Sequence, residues 1–267
     1  MNGSTNRFIG LNLTLTIMSG RTQQDMTLME SLFHLTTGYF SAFVEQIIYW
    51  QCELNGGPYL LPQVSAFTGS AWEWNDQRQQ FYLHQFVKEQ PDLNFENIKV
   101  RNDVLAIIKF WLDLGVDGFR VDAVPFIYED QRFLDEPVNP DRDPAAKPDE
   151  YRYYSHVYSY NQPRTLEFLA DMRRLLDIYS TSDGQIRCMM IESGVPDEFI
   201  KDYYGTADKP VSHFPFNFHL LDVNTSMNAS QILELINVWY EIIPEGQWAT
   251  FLVSSHQNGQ AFCCGTP

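Results

Sequence analysis

Gly115-Val116-Asp117-Gly118-Phe119-Arg120-Val121-Asp122-Ala123-Val124-Pro125 is the stretch on which the fold turns. A strand covered on both faces of a parallel sheet is normally a near-continuous apolar run, and Arg120 and Asp122 break that run together. Side chains alternate along a strand, so these two share one face while Phe119 and Val121 share the other. A guanidinium beside a carboxylate keeps the acid ionised at neutral pH, the state an attacking carboxylate needs. For an isolated Arg-x-Asp, a structural ion pair is the commoner meaning, so the surrounding sequence has to decide.

Working outward, Val104, Ile107, Ile108, Trp111 and Leu112 mark one face of a helix that ends near Gly115. Asp130 to Tyr154 is charged and proline-rich and reads as a long loop. Phe168, Leu169, Met172, Leu175, Leu176 and Tyr179 predict a second helix, and Ile186 to Ile191 a buried strand that closes on Glu192. Ile232, Leu235, Ile236, Trp239 and Ile243 predict a third helix, and Ala249 to Ser255 a last strand running into His256 and Gln257. Helix following strand in this rhythm is the pattern of an α/β fold with a parallel sheet. Upstream, Met26 to Phe43 has helical spacing in its first half, whereas Asn55 to Pro62 is turn-rich. Phe67 to Trp74 puts aromatics in a segment read as irregular.

The eleven-residue stretch resembles the second conserved region of the α-amylase superfamily, glycoside hydrolase family thirteen. Gly69-Ser70-Ala71-Trp72, Gln90-Pro91-Asp92-Leu93-Asn94 and Pro215-Phe216-Asn217-Phe218 resemble phrases of its insect maltase (α-glucosidase) branch. The resemblance implies part of a (β/α)₈ TIM barrel, about strands four to seven, with part of an inserted excursion domain. It divides the chain into an unassigned segment 1–45, inserted loop residues 46–97 and barrel residues 98–267. It implies Asp122 as nucleophile, Arg120 as its partner, Glu192 as general acid/base and His256 as a holder of sugar hydroxyls. A retaining glycosidase needs two carboxyl groups about 5 Å apart, one protonated and one not.

The implied activity is release of terminal α-linked glucose from maltose, sucrose or short oligosaccharides. Two departures from the family pattern lead us to expect that this chain is impaired. Gln257 stands where relatives carry an Asp, and residues 1–45 contain nothing like the first-region Asp-x-x-x-Asn-His. The alternatives are a non-catalytic sugar-binding fragment and an ectodomain like that of amino-acid transporter heavy chains.

Eighteen basic against thirty-four acidic residues give a net charge of −16, which disfavours nucleic acid and anionic membrane as partners. No apolar run approaches a membrane span, and Phe8 to Met18 is a poor signal segment, so secretion rests on the resemblance. The four cysteines, Cys52, Cys188, Cys263 and Cys264, have no metal-site spacing and make no disulfide framework. No cofactor is implied, and a structural calcium is left open.

Overall fold

The computed structural model describes residues 15–18, 50–51, 63–255 and 259–260. His256 and Gln257, the helix expected at Met26–Phe43, and Cys52, Cys263 and Cys264 lie outside these. In chain order the elements are β1 Leu15–Met18, β2 Trp50–Gln51, β3 Trp72–Asn75, β4 Gln80–Leu83, α1 Ile98–Asp113 and β5 Gly118–Val121. They continue with α2 Pro163–Asp183, β6 Cys188–Ile191, α3 Ile200–Tyr204, β7 Phe214–Pro215, α4 Ala229–Ile242, β8 Ser254–Ser255 and β9 Gly259–Gln260. The chain divides into two compact units, and α1 contributes to both.

The unit containing β5 holds a four-stranded sheet ordered β1-β5-β6-β7. Strands β5, β6 and β7 are parallel, whereas β1 pairs with β5 antiparallel, Leu15 opposite Val121. Phe119, Val121, Met189 and Ile191 are fully buried, as a sheet covered by helices requires. Local chemistry sets where each helix begins and ends. Gly115, at φ 82°, adopts the left-handed conformation that ends α1, and its N–H returns to the carbonyl of Leu112 at 2.8 Å. Pro163 starts α2 at the position where a missing N–H costs nothing. Asn228 caps α4, accepting from the N–H groups of Ser230 and Gln231 while the Gln231 side chain returns to the N–H of Asn228. Each of the three helices expected from apolar spacing within the described residues is present.

The stretch 249–255 differs from expectation. Only Ser254 and Ser255 are in a strand, and they pair antiparallel with β9 rather than with β7. Residues 250–252 still run beside β7 through two bonds: the Thr250 hydroxyl donates to the Pro215 carbonyl at 2.7 Å, and the Leu252 N–H to that of Asn217 at 3.2 Å. One backbone and one side-chain bond do not make a ladder, so apolar content extended the chain here without adding a fourth parallel strand.

The other unit holds the antiparallel sheet β2-β4-β3 together with Phe126–Gln162. The segment read as irregular is partly a hairpin. Trp72 and Leu83 are cross-strand partners in a small core, and Trp74 meets Phe81 edge-on at 4.9 Å. Its turn needs a left-handed residue, and Gln79 fills that place at φ 55°, so no glycine announced it. The long loop is held by a buried carboxylate: Glu136 accepts from the Tyr158 N–H at 3.1 Å and from the Ser159 hydroxyl at 2.8 Å. Gln85 joins distant segments, its amide nitrogen donating to the Phe126 carbonyl and to Glu129, while its own N–H donates to Asp92.

Candidate active site

Strand register builds the site before any side chain is considered. Val121 lies opposite Ile191 in the parallel pair, so the next residues on each strand, Asp122 and Glu192, come to one level. Both alternate away from the buried face that Val121 and Ile191 occupy. Adjacent strands lie about 4.8 Å apart, so two acids in register on neighbouring strands start at about the carboxyl spacing that retaining chemistry uses.

Arg120 locks that arrangement. Its Nη2 donates to Glu192 Oε2 at 2.8 Å and lies 2.7 Å from Asp122 Oδ1. One nitrogen therefore spans both acids, whose contacting oxygens can be no farther apart than the sum of those two distances. The three side chains are 17 to 20% exposed, open at the tip and otherwise enclosed. The two contacts differ in kind, because the one to Glu192 is an aligned hydrogen bond whereas Asp122 Oδ1 is buried without an aligned donor. A carboxylate oxygen held by charge alone keeps its lone pairs available.

Glu192 keeps its proton to a higher pH than an ordinary carboxylic acid does. Burial, a hydrogen bond with Asp122 and the Asp122 charge push its pKa up to about 7, opposed by the Arg120 charge and by a hydrogen bond from the Ala123 N–H. Ala123 makes that bond from a left-handed backbone at φ 49°, which a non-glycine residue adopts at some cost and which turns the chain sharply after Asp122. The Val124 N–H returns to the Glu192 carbonyl at 3.3 Å, tying the two strand ends together.

One contributor was not assigned by sequence reasoning. Phe216 follows β7, its N–H bonded to the Ile191 carbonyl at 2.9 Å, and its ring lies 5.5 Å from the Arg120 guanidinium carbon. A ring face against a guanidinium steadies the cation by about 0.5–1 kcal/mol at a partly open site. The Pro215-Phe216-Asn217-Phe218 phrase, noted only for its resemblance, was the available signal.

Sequence and fold comparisons point to one family. Residues 41–263 match the α-amylase catalytic-domain model, most of the chain. The chain belongs to that family. It is 39% identical over 201 residues to Maltase A1 of Drosophila melanogaster, covering 73% of this chain and 35% of that protein. It is also 32% identical over 233 residues to amino acid transporter heavy chain SLC3A1 of Homo sapiens, covering 85% of this chain and 34% of that one. Among solved structures, the α-glucosyl transfer enzyme XgtA superposes with a TM-score of 0.62 at 32% identity, over 76% of this chain and 37% of that one. The chain thus spans about a third of the length of the relatives it matches. It is an α/β fragment of the α-amylase catalytic-domain type, related to the α-glucosidases.

Among the described residues no three His, Cys, Asp or Glu side chains gather as a metal site, and no helix is long and apolar enough to cross a membrane.

Proposed function

We propose that Arg120, Asp122 and Glu192 are the bond-breaking core of an α-glucosidase acting with retention on terminal α-linked glucose of maltose, sucrose or short oligosaccharides. The observation that carries this reading is the single Arg120 nitrogen shared between two acids that end neighbouring strands. In the first step an Asp122 oxygen attacks the anomeric carbon as the glycosidic C–O bond breaks, and Glu192 gives its proton to the departing oxygen. A glucosyl ester on Asp122 results. Glu192, now a carboxylate, then takes a proton from water as that water attacks the same carbon, freeing Asp122. Two displacements restore the configuration. Arg120 serves both steps, facing the Asp122 carboxylate and balancing the charge left on Glu192.

The substitution at Gln257 limits the rate. An amide in place of a carboxylate cannot answer the positive charge that develops on the sugar, and losing one such contact costs about 10²- to 10³-fold, roughly 3 to 4 kcal/mol. Release of p-nitrophenol from the aryl α-glucoside by residues 1–267 and by Gln257→Asp tests this. A rise of two orders of magnitude or more in the variant is the expected result. Equal rates in two folded proteins would refute it.

A further inference from the structure

A second cleft lies at the opposite ends of the same strands, in the same unit as the acids. It measures about 280 Å³ and is lined by Arg173, Asp177, Ser180, His213, Gln247 and Trp248, among others. His213 precedes β7, and its Nδ1 accepts the N–H of Met189 at 3.0 Å, near the amino end of β6. Asp122 and Glu192 follow the carboxyl ends of their strands, so the cleft is not the acid site.

Trp248 is the unexpected member. It is 60% exposed, yet its backbone is firmly placed, since the buried Tyr204 hydroxyl donates to its carbonyl at 2.7 Å. The turn before it closes with the Gln247 N–H on the Pro244 carbonyl at 3.1 Å. Its indole lies nearly parallel to the Phe214 ring, at 21° and 6.3 Å. A large aromatic plane held in place and left open to solvent is a surface prepared for another flat apolar face. Beside it, Arg173 Nε donates to Asp177 Oδ1 at 2.9 Å, and Arg173 Nη1 donates to the Ser212 carbonyl at 2.8 Å. Asp177 remains 39% exposed, with room for further donors.

We propose that this cleft is a second sugar-binding site, in which a pyranose ring stacks its C–H face on Trp248 and its hydroxyls donate to the Asp177 carboxylate. The preference for α-glucans rests on the function proposed above; the stacking chemistry does not. The ring face supplies apolar contact, and a fixed carboxylate between an arginine and open solvent accepts from adjacent hydroxyls, the pairing that a flat apolar ligand or a bare ion would not use. His213 stays neutral here, because burial and then the Arg173 charge lower its pKa to about 4, so the cleft's charges are the Arg173 and Asp177 pair. Its function would be to hold one end of an oligosaccharide apart from the acids.

Maltotriose titrated into residues 1–267 by calorimetry tests the site. In the Asp122→Asn, Glu192→Gln background binding is expected to persist, Trp248→Ala is expected to weaken it about tenfold or more, and Trp248→Phe to retain most of it. Circular dichroism checks that each variant is folded. Unchanged affinity in Trp248→Ala, or no binding of maltotriose by the folded background protein, overturns the inference. Trp248-dependent binding in that background, together with no glucosyl ester on Asp122 of the unsubstituted chain, would leave this site standing and remove the catalytic reading instead.

Discussion

Replacing Arg120 by Met removes the cation that faces both Asp122 and Glu192 while keeping a long apolar stem against Phe216. What is lost is the attraction of the Arg120 charge for ionised Glu192, about 4 kcal/mol for charges about 4 Å apart at an effective dielectric of 20 and about 1 kcal/mol if water fills the opening. The site is neither sealed nor fully wet, with side chains 17 to 20% exposed, so the cost lies between those limits. It falls on the ionised form of Glu192, together with the loss of the 2.8 Å hydrogen bond from Arg120. At 1.36 kcal/mol per pH unit, the Glu192 titration should move from about 7 upward by roughly 1 to 2 units. Carbon-detected NMR of side-chain carboxyl groups, with the resonance assigned through Glu192→Gln, reads this directly. A midpoint that stays put or falls would refute the idea that Arg120 holds the pair, and with it the division of labour between the two acids.

Other consequences follow from the same physical terms. Burial raises the Asp92 pKa to about 7, against hydrogen bonds from Gln85 that favour the charged form, so the folded state binds this proton more tightly than the unfolded chain does. Stability from this group is therefore present at pH 4 and lost as pH rises to about 7, and Asp92→Asn should gain about 2 to 4 kcal/mol at pH 8 but little at pH 4 by urea unfolding. Gly205→Ala should destabilise by about 2 kcal/mol or more in the same assay, because φ is 77° and the new Cβ would meet the Lys209 carbonyl oxygen at 2.4 Å and the Val211 nitrogen at 2.7 Å. Phe216→Leu should leave stability nearly unchanged and shift the Glu192 midpoint upward by less than Arg120→Met does, since it loosens the guanidinium without removing it.

The legible parts of this protein are those that depend on near neighbours. The strand at 118–121 could be read because an apolar run with charges on one face has few other meanings, and Glu192 because it ends a second such run. What register adds, the equal level of Asp122 and Glu192, comes from pairing residues about seventy apart and is invisible to local patterns. The Gln85 contact with Glu129, 44 residues away, was hidden for the same reason. The β3–β4 hairpin was missed because Gln79 does a glycine's work in its turn. The expectation at 249–255 failed in the opposite direction, since apolar residues alone do not supply a ladder. The antiparallel pairing of β1 on the edge of β5 had no sequence signal at all.

The central claim is that Asp122 attacks sugar. An α-glucosyl fluoride bearing a second fluorine at C5 has a good leaving group and forms an ester that hydrolyses slowly, so it accumulates the intermediate even where turnover is poor. After incubation with residues 1–267, peptide mapping by mass spectrometry should find one added fluoroglucosyl group on the peptide containing Asp122, and none in Asp122→Asn. A label on another residue, or a folded chain that takes no label at all, would contradict the account.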